Sequence, residues 1–465
     1  MKILILESST SSAKAMFYDT DGISRVVTEP YGFYDTARQD ADTVWAKTLK
    51  AGKCVLASET VDMIALSGTY HSVMVCDGEM RPKTAVYQWP FTGASDICAE
   101  LKKEYAADYY IRTGCMINAV YPSFKLVWMK RNGIPTDGFI MGQGTYNFYR
   151  ATGKRKIMDS MASGTGLFSI ITRDFDEDIL QAVGIRREQL SEIVKFTDIS
   201  PLCSETAALL GLKSGIPVVP TGPDGGLNQI GAGALGDGIM TFSVGTSGAM
   251  RLSTAIPRLS RNRSTWCYRS PDGWMSGGAT SGCCNCVDWA RSSFLGGQSF
   301  ADIEKNIPRK PWETPVFLPF IFGERCPGWD DGRKGGFLSI EPDHSGLDMY
   351  HAVLEGVLYN LLQCLRELEA LNGRPRAVKL SGGIVHSSYW TQMCADIMGL
   401  PMDVSCMEQS SMTGAVAEAL TIAGEIPGLR AFKTPEERRI SPNFEAHEEY
   451  MKKYEAYLRE YTVYR

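Results

Sequence analysis

A strand, a turn rich in hydroxyl groups and a second strand occur twice in this sequence, and this repeat constrains the fold more than any other feature. In the first copy, strands predicted over Lys2 to Leu6 and Ala13 to Tyr18 flank the turn ESSTSS. In the second copy, strands predicted over Ile239 to Val244 and Ala249 to Ser253 flank the turn GTSG. Short polar turns between β-rich runs are typical of hairpins. The repeat therefore predicts two related units, each beginning with a β-hairpin.

Each copy leads into mixed α and β structure. After the first hairpin, the turn DTDG precedes a third predicted strand, Ile23 to Glu29. Apolar residues recur at spacings of three and four over residues 349–371, which predicts a long half-buried helix. The tail from His447 predicts a closing amphipathic helix. Because 465 residues are too many for one ordinary core, we predict an α/β fold with two domains, residues 1–238 and 239–465.

Charge and hydropathy exclude several classes of function. The net charge of −5 argues against a general nucleic-acid binder, since phosphate backbones are bound mainly by an excess of Lys and Arg. The apolar run ILIL ends at Glu7, too early for a signal peptide, and no segment reaches the roughly 18 apolar residues of a membrane span. We therefore expect a cytoplasmic protein that acts on a small molecule, with neither nucleic acid nor membrane as partner.

The thirteen cysteines are predicted to be reduced thiols rather than disulfides. Their number is odd, and Cys54, Cys76, Cys364 and Cys394 lie in apolar segments. The cluster CCNC, residues 283–286, lacks the second cysteine pair of a structural zinc site, and no histidine lies near it in sequence. Small buried thiols at a helix start are therefore favoured there over a metal site.

The two hydroxyl-rich turns are suited to binding an anion. A tight turn between strands presents several backbone N–H groups in one direction, and Ser and Thr add hydroxyl donors. Each turn taken alone is equally well a polar hairpin tip. Two equivalent turns facing each other across a cleft can instead hold successive phosphates of a nucleotide, and the glycines of GTSG allow close backbone approach.

A third motif, GPDGG, presents an acidic residue between a strand and a helix. A strand predicted over Ile216 to Thr221 leads into this turn, and Asp224 stands just before the predicted helix. A carboxylate at this position can accept a proton from a hydroxyl, or it can simply cap the helix. Further on, GAGALG (231–236) matches a dinucleotide fingerprint, but it falls inside the predicted helix rather than after a strand. Glycines that pack a helix against a sheet explain this string better.

A fourth motif, LSGGIVHSS, joins a strand to a helix. The strand ends at Gly382 and Gly383, and the helix is predicted to start near Ser387. Backbone without side chains beside a helix N-terminus suits the flat approach of a nucleoside. On its own, the motif would be an unremarkable strand-to-helix turn.

In their order and spacing, these motifs resemble the FGGY carbohydrate kinase family along nearly the whole chain. The resemblance is carried by the turn from Glu7 to Lys14 and by KLVWMKRN, DSMASGTGLF, GPDGG, VGTSG, GERCPGWDDGRKGGF, DMYHAVLEG and the glycine pair after RAVKLS. It implies a two-domain actin-like ATPase fold with a ribonuclease H-like core in each domain. It also implies ATP- and Mg²⁺-dependent phosphorylation of a small sugar, sugar acid or polyol. The sugar would bind on the N-terminal side and the nucleotide on the C-terminal side, and a homodimer is compatible with this arrangement.

The resemblance assigns roles to individual positions. Asp224 falls on the catalytic base, which also contacts the substrate, and Glu7 falls on the Mg²⁺ ligand, acting directly or through water. The implied phosphate and nucleotide contacts are Thr10, Ser11, Ser12, Lys14, Gly245, Thr246, Ser247, Gly382, Gly383 and Ser387. The implied substrate contacts are His71, Ser72 and Trp89; a buried packing role is the alternative for His71.

This sequence also departs from the family pattern. The usual Asp-x-Gly-Thr is Glu7-Ser8-Ser9-Thr10 here, and Ser339 replaces a glycine in GGFLSI. Trp89 is followed by PFTGAS instead of the common Asp and Arg. The HS of TYHSV and the string GERCPGW resemble gluconokinase-like members, which makes gluconate the leading substrate. The alternatives are a xylulokinase-like pentulose kinase and a catalytically weakened sugar sensor with the same fold.

Overall fold

The N-terminal half alternates short strands and helices. A computed structural model describes residues 1–21, 24–236, 238–307, 313–404, 409–434 and 437–464. The strands of this half are β1 (Lys2–Ser8), β2 (Ser12–Asp19), β3 (Ser24–Pro30), β4 (Arg38–Gln39), β5 (Met63–Gly68), β6 (Met74–Cys76), β7 (Val86–Tyr87), β8 (Phe139–Met141), β9 (Lys156–Met158), β10 (Glu192–Val194), β11 (Ser200–Pro201) and β12 (Pro217–Pro223). The helices are α1 (Ala41–Leu56), α2 (Ser95–Thr113), α3 (Pro122–Arg131), α4 (Gln143–Thr152), α5 (Asp159–Ser163), α6 (Glu177–Val183), α7 (Ser204–Leu210) and α8 (Asp224–Gly231).

The C-terminal half begins with a second set of hairpins and ends with long helices. Its strands are β13 (Ile239–Val244), β14 (Gly248–Thr254), β15 (Trp266–Ser270), β16 (Gly273–Thr280), β17 (Val316–Leu318), β18 (Gly336–Leu338), β19 (Ala377–Ser381), β20 (Met402–Val404) and β21 (Arg438–Ile440). The helices are α9 (Cys284–Phe294), α10 (Phe300–Asn306), α11 (Gly346–Asn372), α12 (Ser388–Met398), α13 (Ser410–Ala423) and α14 (Phe444–Val463). Short 3-10 turns cover Arg187–Gln189, Gly383–His386 and Leu429–Ala431.

The main sheets of the two halves share one central arrangement. The N-terminal sheet has the order β11-β12-β5-β1-β2-β3, in which β1, β2 and β3 are antiparallel while β5 and β12 run parallel to β1. The C-terminal sheet has the order β15-β16-β14-β13-β19-β20-β21, in which β13, β14 and β16 are antiparallel while β19 and β20 run parallel to β13. This repeat confirms the predicted α/β fold. The predicted strand bounds agree within two residues, and Gly22 and Ile23 lie outside the described residues.

Helices α8 and α13 pack against each other between the sheets. A Cβ on Gly231 would lie 1.9 Å from the carbonyl oxygen of Ser410, and one on Gly414 would lie 2.0 Å from that of Leu227. Both glycines therefore allow close approach of the two helix backbones. Gly231, the first glycine of GAGALG, thus packs α8 against another helix and not, as expected, against the sheet. The rest of GAGALG lies beyond the end of α8, not inside it.

Burial differs from the sequence-based expectation at two places. Helix α11 is buried on every side from Tyr350 to Leu365, not half-buried, because α9, α12, α14, β14, β16 and β17 all pack against it. Cys54 on α1 is exposed, whereas Cys76, Cys364 and Cys394 are buried. The twelve described cysteines are free thiols, as predicted.

Two further features bear on the sequence predictions. Ser339, which stands where the family usually has glycine, has a left-handed backbone with φ of 57°, a conformation that glycine adopts more easily. Among the described residues, no helix combines the length and apolar character required to cross a membrane.

Candidate active site

A cavity of about 230 Å³ lies between the two halves and is lined by both. We call it the cleft cavity. It brings together five of the residues predicted from sequence: Thr10, His71, Trp89, Asp224 and Ser247. The turns of the two first hairpins, β1–β2 and β13–β14, therefore open onto one cleft, with the acidic residue of GPDGG beside them.

Hydrogen bonds within the β1–β2 turn fix its shape. The backbone N–H of Ser9 donates to the carbonyl of Ser12 at 3.1 Å, and the Ser9 hydroxyl donates to the same oxygen at 2.7 Å. Trp89 Nε1 donates to Thr10 Oγ1 at 2.9 Å, which joins the turn to the wall of the cavity. Ser11 is exposed at the tip. The serine at the usual glycine position thus reinforces the turn.

Glu7 is buried beneath this turn and is held from three sides. Ser67 Oγ donates to Glu7 Oε2 at 2.9 Å, and the Ser411 hydroxyl donates to the same oxygen. Lys14 Nζ lies 3.6 Å from the other oxygen, Oε1. Lys14 therefore pairs with the carboxylate that is the predicted metal ligand, while the neighbouring Ser8 hydroxyl is buried with no hydrogen-bond partner among the described residues.

Asp224 is the first residue of α8, and its position follows from the end of β12. Pro223 occupies the N-cap, so the alternative that Asp224 is the N-cap of the helix is wrong; its side chain accepts from the N–H of Gly225 at 2.7 Å. Burial and then the negative charge of Glu7 raise the pKa of Asp224 to about 6, while Arg251 and the backbone amides of Gly225 and Tyr70 oppose that rise. The carboxylate is still mostly ionised at neutral pH and can accept a proton.

His71 is neutral and is locked in an unusual conformation. Its backbone is left-handed, with φ of 67°, and its Nδ1–H donates to the carbonyl of Gly164 at 2.6 Å, which leaves Nε2 free to accept. Burial, and then the charge of Arg325, lower its pKa well below the ordinary value. Lys125 Nζ donates to the carbonyls of His71 and Gln88 at 2.7 Å each, so this buried amine fixes two walls of the cleft cavity.

Ser72 is not part of the cleft cavity. Its Oγ accepts from the backbone N–H of Gln143 at 3.0 Å, which joins the loop after β5 to the start of α4. Its direct contact with a substrate therefore has no support from this geometry.

Five further charged or aromatic residues of the cleft cavity were missed from sequence: Tyr70, Arg251, Trp266, Tyr268 and Arg325. Tyr70 lies within TYHSV and Arg325 lies within GERCPGW, whereas Arg251 lies on the strand that follows the GTSG turn. Each is therefore inside or next to a segment already singled out. Trp266 and Tyr268 are stacked, with ring centroids 4.3 Å apart, and carry no comparable sequence signal.

A second pocket of about 340 Å³ lies within the C-terminal half, and we call it the C-terminal pocket. Gly383 and Ser387 line it, together with Cys284, Asp288, Phe300 and Tyr350, which were missed. Ser387 also caps α12, since its Oγ accepts from the N–H of Trp390 at 2.9 Å. Gly382 has a φ of 96°, and a Cβ there would lie 2.5 Å from the carbonyl oxygen of Val244.

The GTSG turn connects the C-terminal pocket to the cleft cavity. The carbonyl of Gly245 accepts from the N–H of Cys284 at 2.9 Å, and Cys284 lines the C-terminal pocket. Ser247 lines the cleft cavity, and Thr246 between them is exposed. A nucleotide whose base lies in the C-terminal pocket could therefore extend its phosphates across this turn toward Asp224.

Two sheets of the same topology around a cleft, each presenting its first hairpin turn to that cleft, define the actin-like ATPase class. Comparison with known proteins specifies the family. Residues 3–231 match the N-terminal domain of the FGGY family of carbohydrate kinases, and residues 240–422 match its C-terminal domain.

Full-length relatives agree with these matches. A gluconokinase of Bacillus subtilis is 28% identical over 457 residues, covering 92% of this chain and 89% of that protein. A xylulose kinase of Escherichia coli is 28% identical over 381 residues, covering 79% and 78%. The crystal structure of a gluconate kinase from Lactobacillus acidophilus superposes with a TM-score of 0.93 at 25% identity, covering 100% of this chain and 98% of the other.

The chain belongs to the FGGY family of carbohydrate kinases. It is accordingly an ATP-dependent phosphotransferase that acts on a hydroxyl group of a sugar, with the two-domain actin-like ATPase fold that the sequence predicts.

Proposed function

We propose that this kinase phosphorylates a terminal hydroxyl of a small open-chain sugar acid, with gluconate as the leading substrate and Asp224 as the general base. The observation that carries the proposal is the Asp224 carboxylate in the cleft cavity, beside the two hairpin turns. A volume of about 230 Å³ is smaller than that of typical drug-binding pockets. It suits a molecule of about the size of gluconate, and the gluconokinase relative supports this choice.

Asp224 would accept the proton of the attacking hydroxyl. A base works best when its pKa lies near but below the working pH, and burial with the Glu7 charge brings the pKa of Asp224 to about 6. His71 Nε2 and the Trp89 indole edge the same cavity and would orient the sugar hydroxyls. Phosphoryl transfer depends mainly on such positioning and on charge stabilisation.

The hairpin turns would hold the phosphates of ATP. Thr10, Ser11 and Ser12 belong to the first turn, and Gly245, Thr246 and Ser247 belong to the second. Their backbone N–H and hydroxyl groups are the donors that phosphate oxygens require. Gly382, Gly383 and Ser387 would contact the nucleoside in or beside the C-terminal pocket. Lys14, which pairs with Glu7, would also bind a phosphate oxygen.

Mg²⁺ fits the side chains beneath the first turn. Glu7 offers a carboxylate oxygen, and Ser8 offers a buried hydroxyl that lacks a partner within the described part of the chain. The described residues contain no group of three or more His, Cys, Asp or Glu able to hold a metal alone. Phosphate and water would therefore complete the ligand set, as Mg²⁺ commonly requires. When bound, the metal neutralises charge on the transferring phosphoryl group.

A screen of ADP release tests the proposal. Purified protein, ATP and Mg²⁺ are incubated with gluconate, xylulose, ribulose, glycerol or erythritol, and ADP is quantified. We expect the highest kcat/KM with gluconate. Xylulose as the best substrate would favour the pentulose kinase alternative.

The sugar-sensor alternative has a specific observation in its favour, because Lys14 and two hydroxyl groups already satisfy Glu7. Calorimetry separates the two functions. ATP binding in the presence of Mg²⁺ supports the enzyme, whereas sugar binding without any ATP binding supports the sensor.

A further inference from the structure

Two arginines line the cleft cavity, and its single carboxylate interacts with only one of them, since Asp224 is near Arg251. Arg251 on β14 and Arg325 in the loop after β17 line the cavity, and neither side chain forms an ion pair or a hydrogen bond within the described residues. Arg325 Nε is even buried without a partner there. By contrast, the nearby Arg333 is buried and pairs with Glu324 at 2.8 Å. Both arginines are half-buried. Charges that are partly removed from water are normally paired, so the unpaired Arg325 guanidinium indicates a missing anionic partner.

The charges in the cleft cavity do not balance. Asp224 is the single carboxylate among the described residues that line it, and His71 is neutral. The two arginines therefore leave the lining with an excess of positive charge. An uncharged sugar would leave that excess unmatched, whereas a ligand carrying one carboxylate would neutralise it.

The two arginines have different neighbours in the cavity. Arg251 is beside Asp224, since its Nη2 lies only 3.0 Å from the position that a Cβ on Gly225 would take. Arg325 is near His71, and its positive charge is the second cause, after burial, of the lowered pKa of His71. His71 in turn packs edge-on against Tyr268, with ring centroids 5.8 Å apart. The charge of Arg251 therefore acts on Asp224, whereas that of Arg325 acts on His71 and on Arg251.

We propose that Arg325, assisted by Arg251, binds the carboxylate of an open-chain sugar acid and makes this kinase select acids over uncharged sugars of equal length. A chain whose terminal hydroxyl lies at Asp224 would extend past Arg251 and bring its far end to Arg325. A planar guanidinium matches a carboxylate with two parallel hydrogen bonds. This inference rests on the proposed function and names the residues that determine its substrate class.

The test compares gluconate with glucitol, the hexitol that carries CH₂OH in place of the carboxylate. The variants are Arg325→Met, which removes the charge, and Arg325→Lys, which keeps the charge but cannot donate two parallel hydrogen bonds to a carboxylate. The control is Arg261→Met, an exposed arginine of the same half. For each protein, kcat and KM are measured with both substrates and with ATP, and gluconate affinity is measured by calorimetry without nucleotide.

We expect Arg325→Met to lose roughly 100-fold in kcat/KM and in affinity for gluconate, the effect typical of removing one partner of a buried charge pair. Its KM for ATP and its kinetics with glucitol should stay near those of the parent, Arg325→Lys should recover part of the loss, and Arg261→Met should lose nothing. Arg251→Met should show a smaller loss in gluconate affinity, which provides a second measurement if Arg325→Met does not fold.

Three results would overturn the inference. An equal loss on gluconate and glucitol would mean that Arg325 acts on the reaction and not on the carboxylate. A raised KM for ATP with unchanged gluconate affinity would assign the arginine to the nucleotide phosphates. A parent enzyme that turns over xylulose but no acid would also overturn it while leaving the kinase function intact, whereas no turnover of any sugar would be a failure of the proposed function.

Discussion

Replacing Glu7 by glutamine is expected to move the acid limb of the pH–rate profile to lower pH. Burial and then the charge of Glu7 raise the pKa of Asp224 from 3.8 to about 6. Glutamine keeps the size of the side chain but removes its negative charge. The ionised form of Asp224 is then more stable, and its pKa falls. Burial, the larger cause, remains. We therefore expect the pKa to fall by about one pH unit, equivalent to about 1.4 kcal/mol of lost repulsion.

The assay measures kcat/KM for the sugar as a function of pH, with ADP quantified directly so that no coupling enzyme limits the acid range. Activity requires ionised Asp224, so it is lost as pH falls through its pKa. The maximum rate of Glu7→Gln will also fall if Glu7 binds Mg²⁺, so the position of the limb is the readout. Glu59→Gln, which removes a surface carboxylate paired with Lys2, should leave the limb in place. An unmoved limb in Glu7→Gln, or one at higher pH, would refute the electrostatic coupling.

Two substitutions test the supports of the site. Lys125→Met removes the amine that donates to the carbonyls of His71 and Gln88 at 2.7 Å each. The free energy of unfolding in urea should therefore fall by about 1–3 kcal/mol for each unsatisfied carbonyl, and the KM for sugar should rise. Normal stability and a normal KM would contradict this role. Gly382→Ala places a Cβ 2.5 Å from a carbonyl oxygen at a φ of 96°. It should lower the melting temperature and weaken ATP binding in calorimetry, whereas Gly78→Ala, where a Cβ meets nothing within 4 Å, should do neither.

The strand pattern could be predicted because its signals are local. Alternating β-rich runs and hydroxyl turns located β1, β2, β13 and β14 within two residues. The position of Asp224 could also be predicted, since a strand followed by a glycine-rich turn and a helix places this residue at the junction between strand and helix. Which role Asp224 has is still a prediction, as are the roles assigned to the phosphate and nucleoside contacts.

The rest depends on tertiary structure. Arg251 and Arg325 come from different elements of the C-terminal half, and only folding places them in one cavity with Asp224. The sequence analysis placed GAGALG inside the helix, whereas α8 ends at Gly231. Gly231 packs against α13, a helix far away in sequence. The sequence of helix α11 is amphipathic, but elements far away in sequence pack against the face that was expected to be exposed.

The central claim is that Asp224 deprotonates the acceptor hydroxyl, and Asp224→Ala tests it most directly. Single-turnover and steady-state rates are measured with the best sugar at saturating ATP, and ATP binding is measured by calorimetry on the same preparation. We predict a fall in kcat of roughly 100- to 10,000-fold, the usual cost of losing a general base, with ATP binding retained. An Asp224→Ala enzyme that phosphorylates its sugar at a near-normal rate would contradict the account.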